Sequence, residues 1–142
     1  MRQRGSYAAV IRYITTDIPP LHSLGVPEVL SSLIMEKRGL LLMVGATGAG
    51  KSTTLAAMMD HRNAHSPGHI LTIEDPVEFV HQPMKAQVTH REVGPDASSF
   101  AAAIRSAGRE NADVILIGEL RTNETMKLAL QLASFGVLVF GT

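Results

Sequence analysis

Short, mostly apolar runs alternate along this chain with segments whose apolar residues recur at helical spacing. Such short runs are typical of strands buried on both faces of a parallel sheet. We therefore predict strands at residues 40–44, 69–73, 114–117 and 137–140, with a shorter one at 87–89. Helices are predicted at residues 28–36, 51–62, 99–106 and 124–133. Alternating strands and helices predict an α/β fold with a mostly parallel sheet and right-handed crossovers.

The start of the chain has a different pattern. Residues 1–16 alternate loosely between polar and apolar positions and predict a strand, which Pro19 and Pro20 terminate. Residues 17–27 are punctuated by proline and glycine and predict a linker. The α/β pattern occupies residues 28–142, so we expect one main domain after a short N-terminal piece.

Composition narrows the classes of function. Among 142 residues, 13 Lys and Arg balance 13 Asp and Glu, and only 4% are aromatic, so the chain has neither the positive charge nor the stacking surfaces typical of nucleic-acid binding. Cysteine is absent, which excludes disulfides, thiolate metal sites and a cysteine nucleophile. No apolar run reaches the roughly 18 residues that membrane insertion requires. The first residues lack the continuous apolar segment of a signal peptide.

The strongest chemical pattern is a glycine-rich turn between the strand predicted at residues 40–44 and the helix that follows. Residues 45–52, GATGAGKS, match the G-x-x-x-x-G-K-[ST] pattern of a phosphate-binding loop. Glycines allow successive backbone N–H groups to face phosphate oxygens, and the helix directs its positive end at the same anion. Lys51 is expected to reach the β- and γ-phosphates, and the Ser52 hydroxyl to complete a Mg²⁺ shell. The predicted nucleotide contacts are Gly45, Ala46, Thr47, Gly48, Ala49, Gly50, Lys51, Ser52 and Thr53.

Carboxylates follow two of the predicted strands. Glu119 comes just after the strand at residues 114–117, at the sheet edge where parallel α/β folds bind ligands. It is a candidate to hold Mg²⁺ or to polarise the attacking water; the alternative is an ordinary surface glutamate. Glu74, Asp75 and Glu78 follow the strand at residues 69–73, with Glu78 a candidate general base or water-positioning group. Three acids gathered there would repel one another without a cation, unless they form a solvated acidic turn. Asp113 precedes its strand and is expected at the opposite edge.

Other polar and sulfur-containing residues have ordinary structural explanations. His61 and His65 are expected to be surface histidines sharing one helix face, since no third zinc ligand is apparent. Met58 and Met59 are expected in the core. Four arginines are expected to be solvated or ion-paired, although a phosphate contact by one of them stays open. These are Arg91, Arg105, Arg109 and Arg121.

Taken together, these motifs resemble the type IV pilus retraction ATPases, the PilT/PilU family of secretion ATPases. The resemblance spans nearly the whole chain and rests on GATGAGKSTTLAAM, GHILTIEDPVEFVH, THREVG, AAAIRSAGRENADVILIGELR and LVFGT, in that order. By this match TIEDPVEFVH is similar to the family's Asp box, with Glu78 as its catalytic glutamate. ILIGELR is similar to its atypical Walker B motif, with Glu119 as the Walker B glutamate. HRN after the first motif and the Thr in GELRT favour PilU slightly over PilT.

The resemblance implies a RecA-like P-loop NTPase core that binds ATP and Mg²⁺ and drives twitching motility. It further implies a homo-oligomer, a hexameric ring, that works in the cytoplasm on a pilus platform protein of the inner membrane. Residues 1–16 would be a remnant of a PAS-like N-terminal domain, and the core would be incomplete at both ends. Weak or absent hydrolysis is therefore expected of the chain by itself. Two alternatives stay open: a nucleotide-binding fragment without hydrolysis, and a RecA-like nucleic-acid motor.

The chain departs from the family pattern at a few positions outside the phosphate loop and the two glutamates. Gly108 replaces a leucine inside a helix, at a cost of about 1 kcal/mol in helix propensity. The other departures are Ala112, Ser134, Phe135 and Val137.

Overall fold

The computed structural model of the chain describes residues 2–9, 11 and 17–142, without the side chains of Arg2 and Gln3. Its elements, in chain order, are β1 (Arg2–Gln3), β2 (Ser6–Tyr7), a 3-10 helix (Leu21–Leu24), α1 (Val29–Leu33), β3 (Gly39–Leu42), α2 (Lys51–His65), β4 (Gly68–Glu74), β5 (Ala86–Glu92), α3 (Phe100–Ala107), β6 (Val114–Ile117), α4 (Asn123–Ser134) and β7 (Leu138–Gly141).

Five strands form one parallel sheet in the order β3-β7-β6-β4-β5. In-register pairs such as Ile70 with Val114 and Ile115 with Val139 place apolar side chains beside one another across the centre of the sheet. Every residue of β6 and β7 is buried, as expected for strands covered on both faces. The prediction of an α/β fold with a mostly parallel sheet is therefore confirmed.

Apolar clusters cover both faces of this sheet. On one face the first cluster includes Met58 and Met59 of α2, both completely buried, together with Phe140 of β7. On the other face Ile104 of α3 and Ala129 of α4 belong to a second cluster. The result is a three-layer arrangement in which α2, which follows the glycine-rich turn, packs directly on the sheet. The prediction that Met58 and Met59 lie in the core is confirmed.

Some element boundaries differ from the sequence predictions because of position in the sheet. The strand predicted at residues 40–44 is β3, which among the described residues pairs only with β7, so Leu42 and Val44 are 45% and 89% exposed rather than buried. The strand predicted at 87–89 extends over all of β5, since seven residues of β4 are available to pair with it.

One helix ends earlier than expected, and another ends just before a glycine that was expected to lie inside it. The helix predicted at residues 28–36 ends at Leu33, and the Arg62 guanidinium of α2 donates hydrogen bonds to the carbonyls of Ile34 and Glu36, at 3.0 and 3.2 Å. Helix α3 ends at Ala107, so Gly108 caps it instead of lying within it. The expected penalty for an interior glycine therefore does not apply at residue 108.

The N-terminal piece is a small hairpin where one strand was predicted. Strands β1 and β2 pair antiparallel around Arg4 and Gly5, whose φ angles of 47° and 81° suit a two-residue hairpin turn. Residues 1, 10 and 12–16 of the predicted strand lie outside the described residues. The predicted linker is more ordered than expected, because Leu21 of its 3-10 helix is buried against the core. The division at residues 1–16, 17–27 and 28–142 stays a prediction.

Candidate nucleotide-binding site

The glycine-rich loop connects β3 to the start of α2. Gly48 and Gly50 have φ angles of 80° and 86°, in the left-handed region that favours glycine, and Gly50 is the N-cap of α2. The first N–H groups of a helix have no partner within that helix. The loop therefore ends in unpaired donors and the positive end of a 15-residue helix, which together suit an anion.

Lys51 closes this loop from the inside. Its ammonium group donates hydrogen bonds to the carbonyls of Gly45 and Ala46, both at 2.9 Å. A Cβ atom on Gly45 would lie at ordinary contact distance from Cβ of Ala49, at 3.4 Å, and from the Lys51 side chain, at 3.9 Å, so the first glycine of the loop lies beside these two residues. The lysine charge is thus held at the concave side of the loop. Ala46, Thr47 and Ala49 are exposed, whereas Thr53 is half-buried on α2.

The predicted catalytic and metal-binding residues meet beside the loop. Ser52, Glu78 and Glu119 line one cleft of about 70 Å³ at the carboxyl ends of β4 and β6. Glu74, Asp75, Pro76, Phe100 and Gly118 complete its lining. The structure therefore brings together the hydroxyl and both glutamates that the sequence selects, and the acidic turn after β4 faces them.

Gly118 allows the two carboxylate-bearing strand ends to approach each other. Its N–H donates to the carbonyl of Ile73 at 2.8 Å, which extends the pairing of β6 with β4 by one residue. A Cβ at position 118 would lie 3.3 Å from both the Ile73 carbonyl oxygen and Cα of Glu74. No role was predicted for Gly118 from the sequence, although a glycine between a buried strand and Glu119 is the kind of signal that indicates close backbone approach.

Glu74 is the most electrostatically perturbed carboxylate of this cleft. Burial raises its pKa above the usual value, a hydrogen bond from Thr72 opposes that shift, and the negative charges of Glu78 and Glu92 add to it. A cation placed in the cleft would favour the charged form of Glu74 again. Burial is the main cause of this shift, and repulsion by the neighbouring acids adds to it in the direction expected without a cation.

Glu119 has a cationic neighbour from its own loop. Nη2 of Arg121 lies 2.9 Å from Oε2 of Glu119, and the two side chains are 79% and 32% exposed. Arg91 pairs with Glu110 at 2.6 Å, Arg105 pairs with Glu124, and Arg109 is exposed. The expectation that these arginines are solvated or ion-paired is confirmed.

Two further predictions about polar residues can be placed. The rings of His61 and His65 stack at 4.2 Å near the end of α2, which confirms a shared helix face. Burial, and then the neighbouring His65, lower the pKa of His61. Within the described ranges, no group of three or more His, Asp or Glu side chains could hold a metal ion by itself.

Asp113 lies at the edge of the sheet opposite the loop, as expected. Its Oδ2 accepts a hydrogen bond from the N–H of His69 at 2.8 Å, at the start of β4.

A parallel sheet with a glycine-rich loop after an outer strand, a lysine inside that loop and carboxylates at the adjoining strand ends defines a P-loop nucleoside-triphosphatase fold. The comparisons with known proteins specify the family. The chain belongs to the Type II/IV secretion system protein family, whose model matches residues 9–142.

Curated relatives and a solved structure agree with this assignment. The chain is 50% identical over 140 residues to the type IV pilus ATPase PilU of Pseudomonas aeruginosa, and 50% identical over 141 residues to the type IV pilus retraction ATPase PilT of the same organism. A crystal structure of the pilus retraction motor PilT with bound ADP superposes with a TM-score of 0.96 at 50% identity and covers 99% of the chain. The resemblance to the PilT/PilU group is confirmed, and the slight preference for PilU is consistent with these matches.

The chain corresponds to only part of each relative. Each match covers 99% of this chain but only 37% of PilU, 41% of PilT and 41% of the crystallised PilT chain. None of the helices in the described part of the chain has the length and apolar character needed to span a membrane.

Proposed function

We propose that this chain is the ATP-binding and ATP-hydrolysing motor core of a type IV pilus retraction ATPase. The observation that carries the proposal is the convergence of Ser52, Glu78 and Glu119 on one cleft beside a loop closed by Lys51. The crystallised PilT, an ADP complex, supports nucleotide as the ligand of this loop. The loop supplies backbone donors and a fixed cation, which are the groups that bind a polyphosphate.

Mg²⁺ fits the same cleft. The side chains there offer hydroxyl and carboxylate oxygens, the donors that Mg²⁺ prefers, and we assign Ser52 and Glu119 to it. When bound with ATP, the ion would neutralise charge on the phosphate oxygens. The Ser52 hydroxyl and the Glu119 carboxylate, which both line the cleft, would hold the ion near the Lys51 ammonium.

Hydrolysis also requires an oriented water molecule. Glu78 lines the cleft from the segment after β4, and we assign its carboxylate to orient the attacking water and accept its proton. Lys51 would exchange its two carbonyl partners for phosphate oxygens as nucleotide enters. The water oxygen would then bond to the γ-phosphorus as the bond from that phosphorus to the β,γ-bridging oxygen breaks, which gives ADP and phosphate, and the Lys51 ammonium and the N-terminus of α2 would stabilise the negative charge on their oxygens.

The remaining assignments rest on the family. We propose that the chain works in a homo-oligomer, a hexameric ring, on the cytoplasmic side of the inner membrane. Its partner there would be the pilus platform protein, and its role would be pilus retraction in twitching motility. PilT and PilU, the relatives matched over 99% of this chain, are named as ATPases of the type IV pilus, which supports this context.

Replacing Lys51 tests the loop. Lys51→Ala removes the ammonium that faces phosphate, so ATP affinity should fall about tenfold or more, as measured by calorimetry with the purified chain. Lys85→Ala is a matched control, because Lys85 directly precedes β5 and does not line the cleft. Equal ATP affinity in the wild type and Lys51→Ala would refute nucleotide binding by this loop.

Replacing Glu119 separates binding from hydrolysis. In a full-length protein that carries this core, Glu119→Gln keeps the size of the side chain but removes its charge, so the variant should bind ATP and release phosphate at least tenfold more slowly than the wild type. Phosphate release is measured against Lys51→Ala, which reports contaminating ATPase. Undiminished turnover would move the role to Glu78 or Asp75, whereas binding without any turnover in the wild type would favour the non-hydrolysing alternative.

A further inference from the structure

The short segment that carries Glu78 is held by its backbone on both sides of that residue. The N–H of Val77 donates to Oε2 of Glu92 at 3.0 Å, and the N–H of His81 donates to Nε2 of His90 at 3.1 Å. The N–H of Glu78 itself lies 3.4 Å from Oε2 of Glu74. Val77 and His81 are buried, so these donors depend on protein acceptors rather than on water.

The two outer acceptors belong to one face of β5. His90 and Glu92 are two residues apart on that strand, and side chains at such spacing point to the same side of a sheet. Val77 and His81 are likewise the two ends of a five-residue segment with Glu78 inside it. Strand β5 therefore provides two attachment points, about 7 Å apart along the strand, for the segment that presents Glu78.

The hydrogen bonds of His90 determine its protonation state. A backbone N–H can only donate, so Nε2 of His90 must carry a lone pair to accept from His81. Nδ1 of His90 lies 2.9 Å from the Thr72 hydroxyl on β4, and in the neutral ring it is then the nitrogen that bears hydrogen. His90 is thus a neutral Nδ1–H tautomer that links β4, β5 and the Glu78 segment.

The surroundings of His90 favour this neutral form. Burial lowers the pKa of His90. The stacked ring of His81, with centroids 5.6 Å apart, faces it from the Glu78 segment, and burial, then His90, lowers the pKa of His81 as well. The Asp60 carboxylate of α2 lies 3.5 Å from Nδ1 of His81. Glu92 lies two residues after His90, on the same face of β5.

We propose that His90 is a positioning residue for the ATPase reaction, which together with Glu92 fixes the segment that presents Glu78 and releases one end of it when His90 gains a proton. The proposal rests on the proposed function, since it assigns a purpose to the placement of Glu78. A proton on Nε2 would turn the acceptor into a donor facing another donor, and the hydrogen bond from His81 would be lost. The attachment of Val77 to Glu92 would remain.

Two substitutions of His90 separate its hydrogen bonding from its ability to gain a proton. His90→Gln keeps one acceptor for the His81 N–H and one donor for Thr72, but it does not titrate near neutral pH. His90→Leu keeps the bulk and removes both hydrogen bonds. His65→Gln is the matched control, because it removes a histidine whose Nδ1 contacts only its own helix carbonyl among the hydrogen bonds of the described residues.

The experiment is NMR spectroscopy of the ¹⁵N-labelled chain of 142 residues at about pH 7.5 and about pH 5.5, across the range in which histidine titrates. Imidazole ¹⁵N shifts identify the tautomer of His90, and amide exchange reports protection at Val77 and His81. At the higher pH, protection of the His81 amide should be equal in the wild type, His90→Gln and His65→Gln, and about two- to tenfold lower in His90→Leu. At the lower pH, it should fall by a similar factor in the wild type but not in His90→Gln, while Val77 stays protected.

The outcomes decide the proposal independently of nucleotide binding. A hydrogen on Nε2 of His90 at the higher pH, or unchanged His81 protection in His90→Leu, overturns it. Global loss of protection in His90→Leu would indicate unfolding, and the comparison of the wild type with His90→Gln across pH then decides. In a full-length protein that carries this core, phosphate release at saturating ATP should follow the same order of variants with KM unchanged. Loss of binding in Lys51→Ala tests the proposed function separately, so either idea can fail alone.

Discussion

Alanine at position 118 should destabilise the chain and weaken its candidate site at the same time. The added Cβ would lie 3.3 Å from the Ile73 carbonyl oxygen and from Cα of Glu74. Both are backbone atoms of β4 and cannot rotate away, so the end of β6 must move from β4 by a few tenths of an ångström. Overpacking of this kind costs about 1–3 kcal/mol, which for a chain of this size lowers Tm by roughly 3–10 °C.

The matched control is alanine at another glycine without such contacts. Gly108 caps α3 with a φ of −61°, and its added Cβ would meet the side chain of Leu132 at an ordinary 3.5 Å. Gly108→Ala should therefore raise stability by about 0.4–1 kcal/mol through the unfolded state. Thermal and urea unfolding, followed by circular dichroism, measure both variants. If Gly118→Ala proves as stable as the wild type while Gly108→Ala behaves as expected, the close approach of β4 and β6 is wrong.

Two further predictions concern the far edge of the sheet and pH. Asp113→Ala removes the acceptor for the His69 N–H, so urea unfolding should show a loss of about 1–2 kcal/mol; ATP affinity should not change, because Asp113 lies opposite the loop, and a large affinity loss would contradict that separation. The pKa values of His81 and His90 are lowered by burial from the usual 6.5, so the unfolded chain binds more protons below that pH. The free energy of unfolding should accordingly fall as pH drops from 6.5 towards the folded pKa values, and it should fall by less in His90→Gln. A Tm that does not change with pH in that range would refute the burial of both histidines in their neutral form.

The sequence predicted the inner strands well because their burial leaves few alternatives. Strand β6 has the predicted bounds, and β4 extends the predicted strand by one residue at each end, since apolar runs of this length must be covered on both sides. Position within the sheet has no comparable signature. The apolar run that became β3 is as hydrophobic as the inner ones, and its border position follows only from the crossover order of all five strands.

The candidate site likewise contains residues that the sequence predicts and contacts that it does not. Lys51, Ser52, Glu78 and Glu119 follow from spacing after predicted strands, and the structure brings three of them to one cleft. The groups that hold the Glu78 segment could not be found in this way. Side chains of β5 bond to backbone N–H groups nine and fifteen residues earlier, and such contacts depend on the pairing of β5 with β4 rather than on any local pattern.

The border position of β3 has a mechanical consequence for the loop that it carries. Within the described residues, β3 is hydrogen-bonded along one side only, to β7, with Met43 continuing that contact through the Gly141 carbonyl at 2.9 Å. A strand secured on one side yields more readily than one secured on both, because fewer bonds stretch when it shifts. The far end of the loop, by contrast, is anchored in α2, whose methionines are completely buried on the sheet. Of the two elements that flank the loop in the described residues, α2 is held by buried packing and β3 by hydrogen bonds along one side, so we expect β3 rather than α2 to shift if the loop adjusts to an incoming phosphate.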